Sequence, residues 1–481
     1  MSFDLLAAAR RDMIQQGFEP DFPPGTDPQL AELAKRKPAH PKGIQDLRGL
    51  LWSSIDNDTS RDLDQIEYAE RVPAGIRILV GIADVDSDVV KDTPIDGHAS
   101  VETTTVYTAV RNFPMLPEAL STGLTSLGEN QDRMAIVIEI VAAADGTIAS
   151  SSIFPALVRN RAQLAYDATG AWLEGRAAPG PKIAASAELQ AQLKLQDEAA
   201  VALRAQRHRL GALNFDRSEA VASVSNGVVL DLRVAKKTRA NDLIEDFMVA
   251  ANEVMAQTLK ASGASSIRRV VKTPERWPRI VELAAQHGER LPATPDSGAL
   301  NAFLEKRRVA DPVHYDDLSL AVVKLMGPGE YVMNRAADPP IGHFGLAATD
   351  YTHSTAPNRR FADLVMQRLI KAVWAKAPAP YSDAELDAIA RNCTLKEDAA
   401  RKVERIMGKR VAALAVQTRI GESFNALVTG VSAKGVFVRV PDPPVEGMLC
   451  QGQRGVDVGD QIRVKLLRAD PSSGFIDFAR E

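Results

Sequence analysis

The sequence predicts an α+β fold, in which a large mixed body of strands and helices is followed by a small five-stranded OB-fold β-barrel. Short β-branched runs occur within residues 46–144, windows with helical spacing of apolar residues dominate from residue 185, and strand-like runs return after residue 420. Strands and helices that are segregated along the chain, rather than alternating, favour an α+β body over a repeating βαβ layout.

Length and composition are those of a globular protein with two or three domains. The chain has 481 residues, of which 45% are hydrophobic and 25% charged, so disordered and fibrous classes are excluded. The formal net charge of −4 gives no overall basic character, so contact with nucleic acid has to come from local basic clusters. Four such clusters lie at residues 204–209, 268–272, 306–308 and 401–410.

Cysteine and histidine usage argues against disulfides and zinc. Cys393 and Cys450 are too few and too far apart for a disulfide framework, and none of the seven histidines stands in zinc-ligand spacing. The amino terminus lacks the long apolar core of a secretory signal, and no apolar run reaches about 18 residues. We therefore expect a cytoplasmic protein with no membrane span.

The first 44 residues are predicted to form a small helical segment. An amphipathic stretch through Gln16 is followed by a stretch rich in proline, and then by a short helix that ends in Lys35-Arg36-Lys37-Pro38. In the body, the runs 76–84 and 134–141 predict buried strands, and the windows 242–262, 276–287, 359–374 and 383–418 predict helices.

The carboxyl-terminal barrel is predicted from five strand-like runs in about sixty residues, separated by Gly, Pro and Asp turns. Such barrels bind single-stranded nucleic acid by stacking bases on aromatic side chains beside basic ones. Phe437 is a candidate for such stacking, and it is equally compatible with a position in the barrel core.

An acidic cluster predicts a metal site. Asp56, Asp58, Asp62 and Asp64 fall within residues 55–65, and Mg²⁺ is usually held by a few carboxylates together with waters and substrate phosphates. In an extended strand Asp62 and Asp64 point to the same face about 7 Å apart, with Asp56 approaching from a preceding loop. An acidic surface turn is the alternative explanation.

Two arginines follow a capping sequence in the segment 351–364. Pro357 and polar residues precede an amphipathic helix, so Arg359 and Arg360 are predicted in its first turn, where cations oppose the helix dipole. A bound phosphate gripped by the two guanidinium groups resolves that conflict. In the alternative, Arg359 pairs with Asp363 on an exposed helix face.

Together these segments resemble the catalytic domain of the ribonuclease II and R family, also called the RNB family, over about residues 45–415. The matching segments, in family order, are Asp46-Leu-Arg, Ile55-Asp56 with Asp62-Leu-Asp64, Ile82-Ala-Asp-Val85, Tyr107, Pro114-Met-Leu-Pro117-Glu-Ala-Leu-Ser121, Gly211-Ala-Leu, Gly342-His-Phe-Gly-Leu346 and Tyr351-Thr-His-Ser-Thr-Ala-Pro-Asn-Arg-Arg. The tail from residue 420 resembles the ribosomal-protein S-one type of RNA-binding OB fold. The resemblance implies a helical segment at 1–44, an RNB catalytic domain at 45–418 and an OB-fold domain at 419–481.

This resemblance implies a hydrolytic, processive exoribonuclease that degrades single-stranded RNA from 3′ to 5′ and releases nucleoside 5′-monophosphates. The implied cofactor is Mg²⁺, with Mn²⁺ as an alternative. The implied partner is single-stranded RNA, with no membrane, and we expect a monomer.

Residue roles also follow from the resemblance. The metal ligands are Asp56, Asp62, Asp64 and, at the fourth position, Gln65. The catalytic residues are Asp62, Asp64, Arg359 and Glu404. The RNA-binding residues that it implies are Tyr107, which stacks on terminal nucleotides and influences final product length, Arg359 and Glu245. The helix-start argument adds Arg360 as an RNA-binding residue, and the barrel argument adds Phe437.

Departures from the family pattern leave alternatives open. The family carries a carboxylate where this chain has Gln65, so either one metal binds weakly or Asp58 or Glu67 compensates. Most members also carry cold-shock barrels before the catalytic domain, and residues 1–44 are too short for one. An RNA-binding protein with a lapsed active site is the second hypothesis. An unrelated metal phosphodiesterase is the third, although the chain shows no P-loop or His-Glu-x-x-His motif.

Overall fold

The amino-terminal segment is helical, as predicted. The computed structural model describes residues 3–36, 43–215, 219–225, 227–312, 314–432 and 435–481. The first two helices are α1 (Leu5–Gln15) and α2 (Thr26–Lys35). Asp4 starts α1, because its Oδ1 accepts a hydrogen bond from the Ala7 N–H at 2.9 Å. Lys37 and Pro38, from the predicted end of the second helix, lie outside the described residues.

A six-stranded mixed sheet forms the centre of the body and confirms the predicted strands. Its order is β1-β8-β2-β3-β4-β7, and the long β8 also pairs with β7, so the sheet curls back on itself. Two further strands, β5 and β6, form a separate hairpin. The bounds are β1 (Gln45–Asp46), β2 (Trp52–Asp56), β3 (Gln65–Val72), β4 (Gly75–Ala83), β5 (Val106–Tyr107), β6 (Asn112–Phe113), β7 (Asp132–Ala142) and β8 (Ile148–Ala165).

Helices cover this sheet and confirm the four predicted helical windows, with ends shifted by up to three residues. The helices are α3 (Pro94–Glu102), α4 (Tyr166–Leu173), α5 (Pro181–Ala184), α6 (Ala187–Arg209), α7 (Arg239–Ala261), α8 (Trp277–Gln286), α9 (Ser297–Ala310), α10 (Tyr315–Met326), α11 (Phe361–Ala375) and α12 (Asp383–Val416). Among the described residues, none of these helices has the length and apolar character needed to cross a lipid bilayer.

The main core lies between the sheet and two of these helices. Ile78, Val80 and Ile138 of the sheet share one apolar cluster with Phe247 of α7 and Leu364 of α11, and all five side chains are fully buried. Each such side chain contributes about 1.5–3 kcal/mol through removal from water. The sheet and α11 are therefore held in a fixed relation, which matters because both lead into the candidate site.

Two strand pairs among the helices were not predicted from the sequence. A hairpin is formed by β9 (Glu219–Ser225) and β10 (Val228–Ala235), and a second antiparallel pair by β11 (Ser266–Val270) and β12 (Glu330–Asn334). The strands of the second pair are about sixty residues apart in sequence, and their pairing depends on the tertiary fold rather than on a local turn.

A closed five-stranded barrel follows α12, as predicted. Its strand order β13-β14-β15-β17-β16 includes one parallel pair, β15 with β17. Inward-facing residues such as Val438, Leu449 and Phe478 are fully buried and fill the barrel. The bounds are β13 (Ser423–Ser432), β14 (Gly435–Pro441), β15 (Pro444–Gln451), β16 (Gln461–Asp470) and β17 (Phe475–Arg480).

The long helix α12 joins the amino-terminal segment to the barrel. Leu5 and Met13 of α1 pack with Val403 and Met407 of α12 in one buried apolar cluster. Arg410 of α12 binds Asp12 with Nε–Oδ2 at 3.1 Å and Nη2–Oδ1 at 3.2 Å, and its Nη1 donates to the carbonyl of Pro471 at 3.4 Å in the turn after β16. One arginine therefore ties α1, α12 and the barrel together.

Replacing Asp12 with alanine should destabilise this joint. The Asp12–Arg410 pair is largely buried, and removing one partner of such a pair leaves an uncompensated charge, so we expect the free energy of unfolding to fall by about 3 kcal/mol. Urea unfolding followed by tryptophan fluorescence, with hydrogen–deuterium exchange of the α1 peptides, measures the loss. The matched control is Asp21→Ala, which breaks the exposed Arg10–Asp21 pair and should cost less than about 1 kcal/mol. Equal effects of the two variants would contradict the assignment of Arg410 as a joint.

Candidate active site

The predicted aspartates lie in the loop that connects β2 to β3. Asp56 is the last residue of β2, whereas Asp62 and Asp64 precede β3, which begins at Gln65. The prediction that Asp62 and Asp64 alternate along a strand is therefore wrong. Leu63 between them is buried, and its N–H donates to Ser126 Oγ at 3.1 Å.

Asp64 is the most buried of these carboxylates. Its side chain is 2% exposed, and its Oδ1 accepts a hydrogen bond from the Asn358 N–H at 2.9 Å. Its Oδ2 has no hydrogen-bond partner among the described residues and lies 3.5 Å from Arg359 Nε. Burial raises the pKa of Asp64 to about 7, although Arg359 and the Asn358 N–H both oppose the rise.

Asp56 and Asp62 stand beside Asp64 with separate partners. Asp56 Oδ1 accepts hydrogen bonds from the Asn57 N–H at 2.7 Å and from Ser60 Oγ at 2.9 Å, and burial raises the pKa of Asp56 above its usual value. Asp62 Oδ2 accepts a hydrogen bond from the Tyr107 hydroxyl at 2.9 Å. The three carboxylates are close enough for their charges to interact, because Asp62 raises the pKa values of both Asp56 and Asp64.

Tyr107 links the acidic loop to α12. Its backbone N–H donates to Glu404 Oε1 at 3.1 Å, while its hydroxyl binds Asp62. Tyr107 as a whole is 37% exposed. Burial of the hydroxyl, with the nearby charges of Asp62 and Asp64, raises the pKa of Tyr107, so the hydroxyl remains a hydrogen-bond donor. Glu404 therefore holds Tyr107 in position through the backbone of that residue.

The two arginines differ in their partners. Arg360 precedes the first residue of α11 and binds Asp363, with Nε–Oδ2 at 2.9 Å and Nη2–Oδ1 at 2.7 Å. Arg359 turns towards Asp64, and its side chain is 45% exposed. The prediction that both arginines lie in the first helical turn is therefore wrong by one or two residues. The alternative pairing of Arg359 with Asp363 is also wrong, because Arg360 occupies that carboxylate.

A three-residue strap fixes the arginine turn. Thr103 accepts from the Phe361 N–H at 2.9 Å, Thr105 donates to the Arg359 carbonyl at 3.0 Å, and Thr104 pairs with Arg360 as a β-bridge. The strap leads directly into β5 and Tyr107. Sequence reasoning did not identify it, because nothing local in three threonines indicates which distant backbone they pair with.

A cavity of about 220 Å³ opens beside these groups. His353 of the arginine motif and Arg401 of the basic cluster 401–410 contribute to its walls, together with Tyr331 and Glu397, which no sequence pattern singled out. His353 Nδ1 lies 2.7 Å from the Tyr331 hydroxyl, and burial keeps the pKa of His353 well below its usual value. The lining residues are Thr103, Thr104, Thr105, Tyr107, Tyr331, His353, Arg359, Arg360, Ala362, Cys393, Glu397, Ala400, Arg401 and Glu404.

Comparison with known proteins identifies the family of the chain. A model of the RNB domain matches residues 44–376, and a model of the RNase II-type exonuclease C-terminal S1 domain matches residues 422–481. The chain belongs to the RNB-domain exoribonuclease family. The resemblance noted from the sequence is thus confirmed, together with the mixed α/β catalytic fold and the carboxyl-terminal five-stranded barrel.

Individual relatives place the chain within this family. Ribonuclease R 1 of Lactococcus lactis subsp. lactis is 30% identical over 470 residues, which are 91% of this chain and 56% of that protein. The chain therefore spans little more than half the length of that relative. Mycoplasma genitalium RNase R in complex with ribose-methylated single-stranded RNA has the same fold, with a TM-score of 0.88 at 23% identity over 99% of this chain and 78% of that one. Yeast Ssd1, described as a pseudonuclease, matches with a TM-score of 0.73 at 17% identity over 96% of this chain and 57% of its own.

The family-implied Mg²⁺ fits the oxygen donors of the acidic loop. Within the described parts of the chain, no three His, Cys, Asp or Glu side chains already converge to hold a metal by themselves. Mg²⁺ does not need such a set, since it is commonly held by one or two carboxylates with waters and substrate phosphates. The Oδ2 atom of buried Asp64 has no hydrogen-bond partner among the described residues, so it is an oxygen donor available to such a cation.

This chain has Gln65 at the position where the family pattern has a fourth carboxylate. Gln65 is 7% exposed and pairs with Ile82 as the first residue of β3. Of the two residues considered as substitutes, Asp58 is exposed in the turn after β2, and Glu67 is fully buried on β3. Neither carboxyl oxygen of Glu67 has a hydrogen-bond partner in the part of the chain that the structure describes. Burial raises the pKa of Glu67 well above its usual value, with a further rise from Asp56.

Two predicted RNA-binding residues lie away from the cavity walls. Glu245 is exposed on α7, with its Oε2 2.6 Å from Lys237 Nζ. Phe437 is 39% exposed on β14 of the barrel, so it is a surface residue and not part of the barrel core. Phe475, at the start of β17, is 60% exposed and was not selected from the sequence. Only the closed barrel shows which aromatic residues point outwards.

The buried carboxyl of Asp64 predicts a pH dependence of stability in metal-free protein. An unfolded aspartate titrates near 3.8, whereas Asp64 in the folded chain has a pKa of about 7, so the folded chain binds the extra proton between these values. The stability contributed by Asp64 therefore falls as the pH rises from about 4 to about 7. In EDTA, the free energy of unfolding of the wild type relative to Asp64→Asn should fall between pH 5 and pH 8. Urea titrations at each pH measure this difference, with the exposed Asp58→Asn as the control for losing one carboxylate. A pH-independent difference would show that Asp64 is ionised throughout.

Proposed function

We propose that this chain is a processive, hydrolytic 3′-to-5′ exoribonuclease that degrades single-stranded RNA to nucleoside 5′-monophosphates with Mg²⁺, or Mn²⁺, as cofactor. The observation that carries the proposal is the pairing of a buried carboxylate with a free oxygen, Asp64, and a half-exposed arginine, Arg359, 3.5 Å apart. Arg359 also lines a cavity of about 220 Å³, with Tyr107 in its wall. Family membership and the RNA complex of the Mycoplasma relative support the same substrate class.

Each residue of the site has a separate role in the proposed reaction. Asp56, Asp62 and Asp64 would hold the metal, which when bound supplies activation of the attacking water and stabilisation of the leaving oxygen. The Arg359 guanidinium is free to grip the scissile phosphate and to stabilise charge that grows in the transition state. Tyr107 presents its ring to the cavity for stacking on a terminal base, and its hydroxyl orients Asp62. Glu404 acts by holding the Tyr107 backbone.

The domain assignment is part of the proposal. Residues 45–418 form the catalytic domain, residues 419–481 the RNA-binding barrel, and residues 1–44 a helical segment that packs on α12 through α1. Exposed Phe437 and Phe475 provide stacking surfaces on the barrel. Arg360 supports the site indirectly, because its guanidinium is held by Asp363. Glu245 remains a candidate for contact with RNA outside the cavity.

Cleavage of a 5′-labelled single-stranded RNA tests the function. In Mg²⁺ the wild type should convert the RNA through a descending ladder to a short end product, and EDTA should abolish the ladder. Asp64→Asn should lower the rate by at least about 10³-fold, since it removes an anionic ligand and leaves the fold with a near-isosteric amide. Tyr107→Ala should keep the ladder and change the length of the end product.

Two controls sharpen this assay. An RNA blocked at its 3′ end should resist degradation, and an RNA blocked at its 5′ end should not. Asp58→Asn removes a carboxylate from the same loop at an exposed position and should cleave like the wild type. Binding of RNA without any ladder in Mg²⁺ or Mn²⁺ would overturn the enzyme assignment.

A second candidate is an RNA-binding protein of the same fold with a lapsed active site. Gln65 favours it, because a neutral side chain occupies a position where the family carries a carboxylate. Yeast Ssd1, described as a pseudonuclease, has the same fold at 17% identity. The cleavage assay separates the two candidates, since the second predicts binding alone.

Restoring a carboxylate at Gln65 should strengthen metal binding. Asp at this position adds a negative charge beside Asp64, and metal affinity rises with ligand charge, so we expect Gln65→Asp to lower the Mg²⁺ concentration for half-maximal activity by about tenfold. Mg²⁺ titrations of the initial rate measure the shift, and Gln65→Asn controls for the change in side-chain length. An unchanged midpoint would show that the metal does not reach this position.

A further inference from the structure

The amino-terminal segment lies antiparallel to the stretch of chain that leads to Tyr107. Near the end of the segment, Gln29 Nε2 donates a hydrogen bond to Thr93 Oγ1 at 3.0 Å. Nearer to its start, the ring of Phe22 lies 4.5 Å from the ring of His98, measured between centroids. Earlier residues of the segment therefore contact later residues of the stretch, and the contacts approach Tyr107 as the segment is followed back towards α1.

The turn after α1 binds Glu102, the residue directly before the three-residue strap. The Glu19 N–H donates to Glu102 Oε1 at 2.9 Å, and Lys396 Nζ of α12 lies 3.5 Å from the same oxygen. Lys396 also donates to the carbonyl of Gly17 at 2.6 Å, and its Nζ lies 4.6 Å from the centre of the Phe18 ring. The amino-terminal segment and α12 thus jointly fix the point at which the strap begins.

The hairpin that carries Tyr107 depends on the same segment. Its strands β5 and β6 have two residues each, and a hairpin of this size is not stable in water by itself. Val106 and Phe113 pair across the hairpin and are buried in one apolar cluster. Within the described residues, the other buried members of this cluster come from α1, from Phe18 and from α12. The hairpin is therefore held by packing, and the amino-terminal segment supplies one side of that packing.

Val106 and Tyr107 point to opposite faces because they are neighbours in a strand. Val106 enters the apolar cluster, while the Tyr107 hydroxyl donates to Asp62 and the Tyr107 N–H donates to Glu404. A shift of Val106 moves both donor groups, since they belong to the next residue. A misplacement of about 1 Å is enough to impair a catalytic site. Packing on the amino-terminal segment is thereby transmitted to the acidic loop.

We propose that the amino-terminal segment positions Tyr107 through Phe18 and α1, and that this packing sets the length of the final RNA product. The inference rests on the proposed function and adds to it a positioning residue, Phe18, that touches neither metal nor RNA. Phe18 is 3% exposed, so it acts through packing and not by contact with the substrate. Displacement of Tyr107 changes where the terminal nucleotides stack, and it therefore changes the length at which degradation stops.

Hydrogen–deuterium exchange of the full chain tests the positioning. The variant is Phe18→Ala, and the matched control is Ile14→Ala, which removes an apolar side chain of the same segment that is 54% exposed. In Phe18→Ala the amides of residues 103–113 should exchange at least about tenfold faster, because truncation of a buried aromatic residue leaves a cavity in the packing. Peptides of the barrel, residues 423–480, should be unchanged, and Ile14→Ala should exchange like the wild type.

A second variant, Lys396→Met, leaves the buried apolar cluster intact and serves if Phe18→Ala does not fold. Methionine keeps the helix propensity of lysine, but it removes the hydrogen bond to Gly17 and the ion pair with Glu102. The amides of residues 103–113 should again exchange faster, by about fivefold, as expected for the loss of one hydrogen bond.

The length of the final product provides the second readout. Phe18→Ala should change this length in the same direction as Tyr107→Ala does. The double variant should give the product of Tyr107→Ala alone, because a residue that acts through Tyr107 has no further effect once the ring is removed. A purely structural role of Phe18 does not predict this equivalence.

Unchanged exchange of residues 103–113 in both variants would overturn the proposal. An equal rise in the barrel peptides would also overturn it, since that result marks a general loss of stability. So would a further change of product length when Phe18→Ala is added to Tyr107→Ala. Exchange is measured without RNA, so a wild type that makes no ladder would refute the proposed function, while the exchange data would still decide whether the segment positions Tyr107.

Discussion

The hydrogen bond from the Asn358 N–H to Asp64 is the contact on which the site depends. It joins the loop before β3 to the turn before α11, two segments 294 residues apart, at a distance of 2.9 Å. The same turn is fixed from its other side by Thr103 and Thr105, whose strand continues to Tyr107. A change in either segment therefore moves the carboxylate, the arginine and the tyrosine relative to one another. Precise positioning of this kind is what phosphoryl transfer requires from a protein, since the reaction offers little covalent chemistry for side chains to perform.

Burial of Asp64 strains the site electrostatically, and the Asn358 N–H relieves only part of that strain. Burial raises the pKa of Asp64 to about 7, and its Oδ2 has no hydrogen-bond partner among the described residues. Arg359 compensates only in part, because it lies 3.5 Å away and remains half exposed. A buried carboxylate that is incompletely neutralised costs stability in the folded chain, and this cost is typical of functional sites rather than of structural ion pairs. The fully engaged Arg360–Asp363 pair next to it shows how a structural pair in the same turn is built.

Helix α12 contacts the amino-terminal segment, the wall of the cavity and the barrel. Its buried face packs on α1, Glu404 holds Tyr107, and Arg410 binds both Asp12 and the barrel. The amino-terminal segment, the cavity and the barrel therefore share one rigid element. This arrangement gives residues 3–18 a structural role that neither their composition nor their predicted helicity indicated.

The sequence by itself determined the class of fold, most of the helices and strands, and the residues of the acidic loop and the arginine motif. Apolar periodicity is a local property, and it predicted β4, β7, α7 and α12 because each buries a continuous face. Which residues pair with one another across distant segments was decided only by the tertiary structure. Asp62 and Asp64 lie in a loop whose Leu63 N–H binds Ser126, 63 residues along the chain, and α11 begins at Phe361 directly after Arg360, which pairs with the distant Thr104. The outward direction of Phe475, the capture of Glu245 by Lys237 and the strap of threonines depend likewise on contacts between distant segments, which a local pattern does not encode.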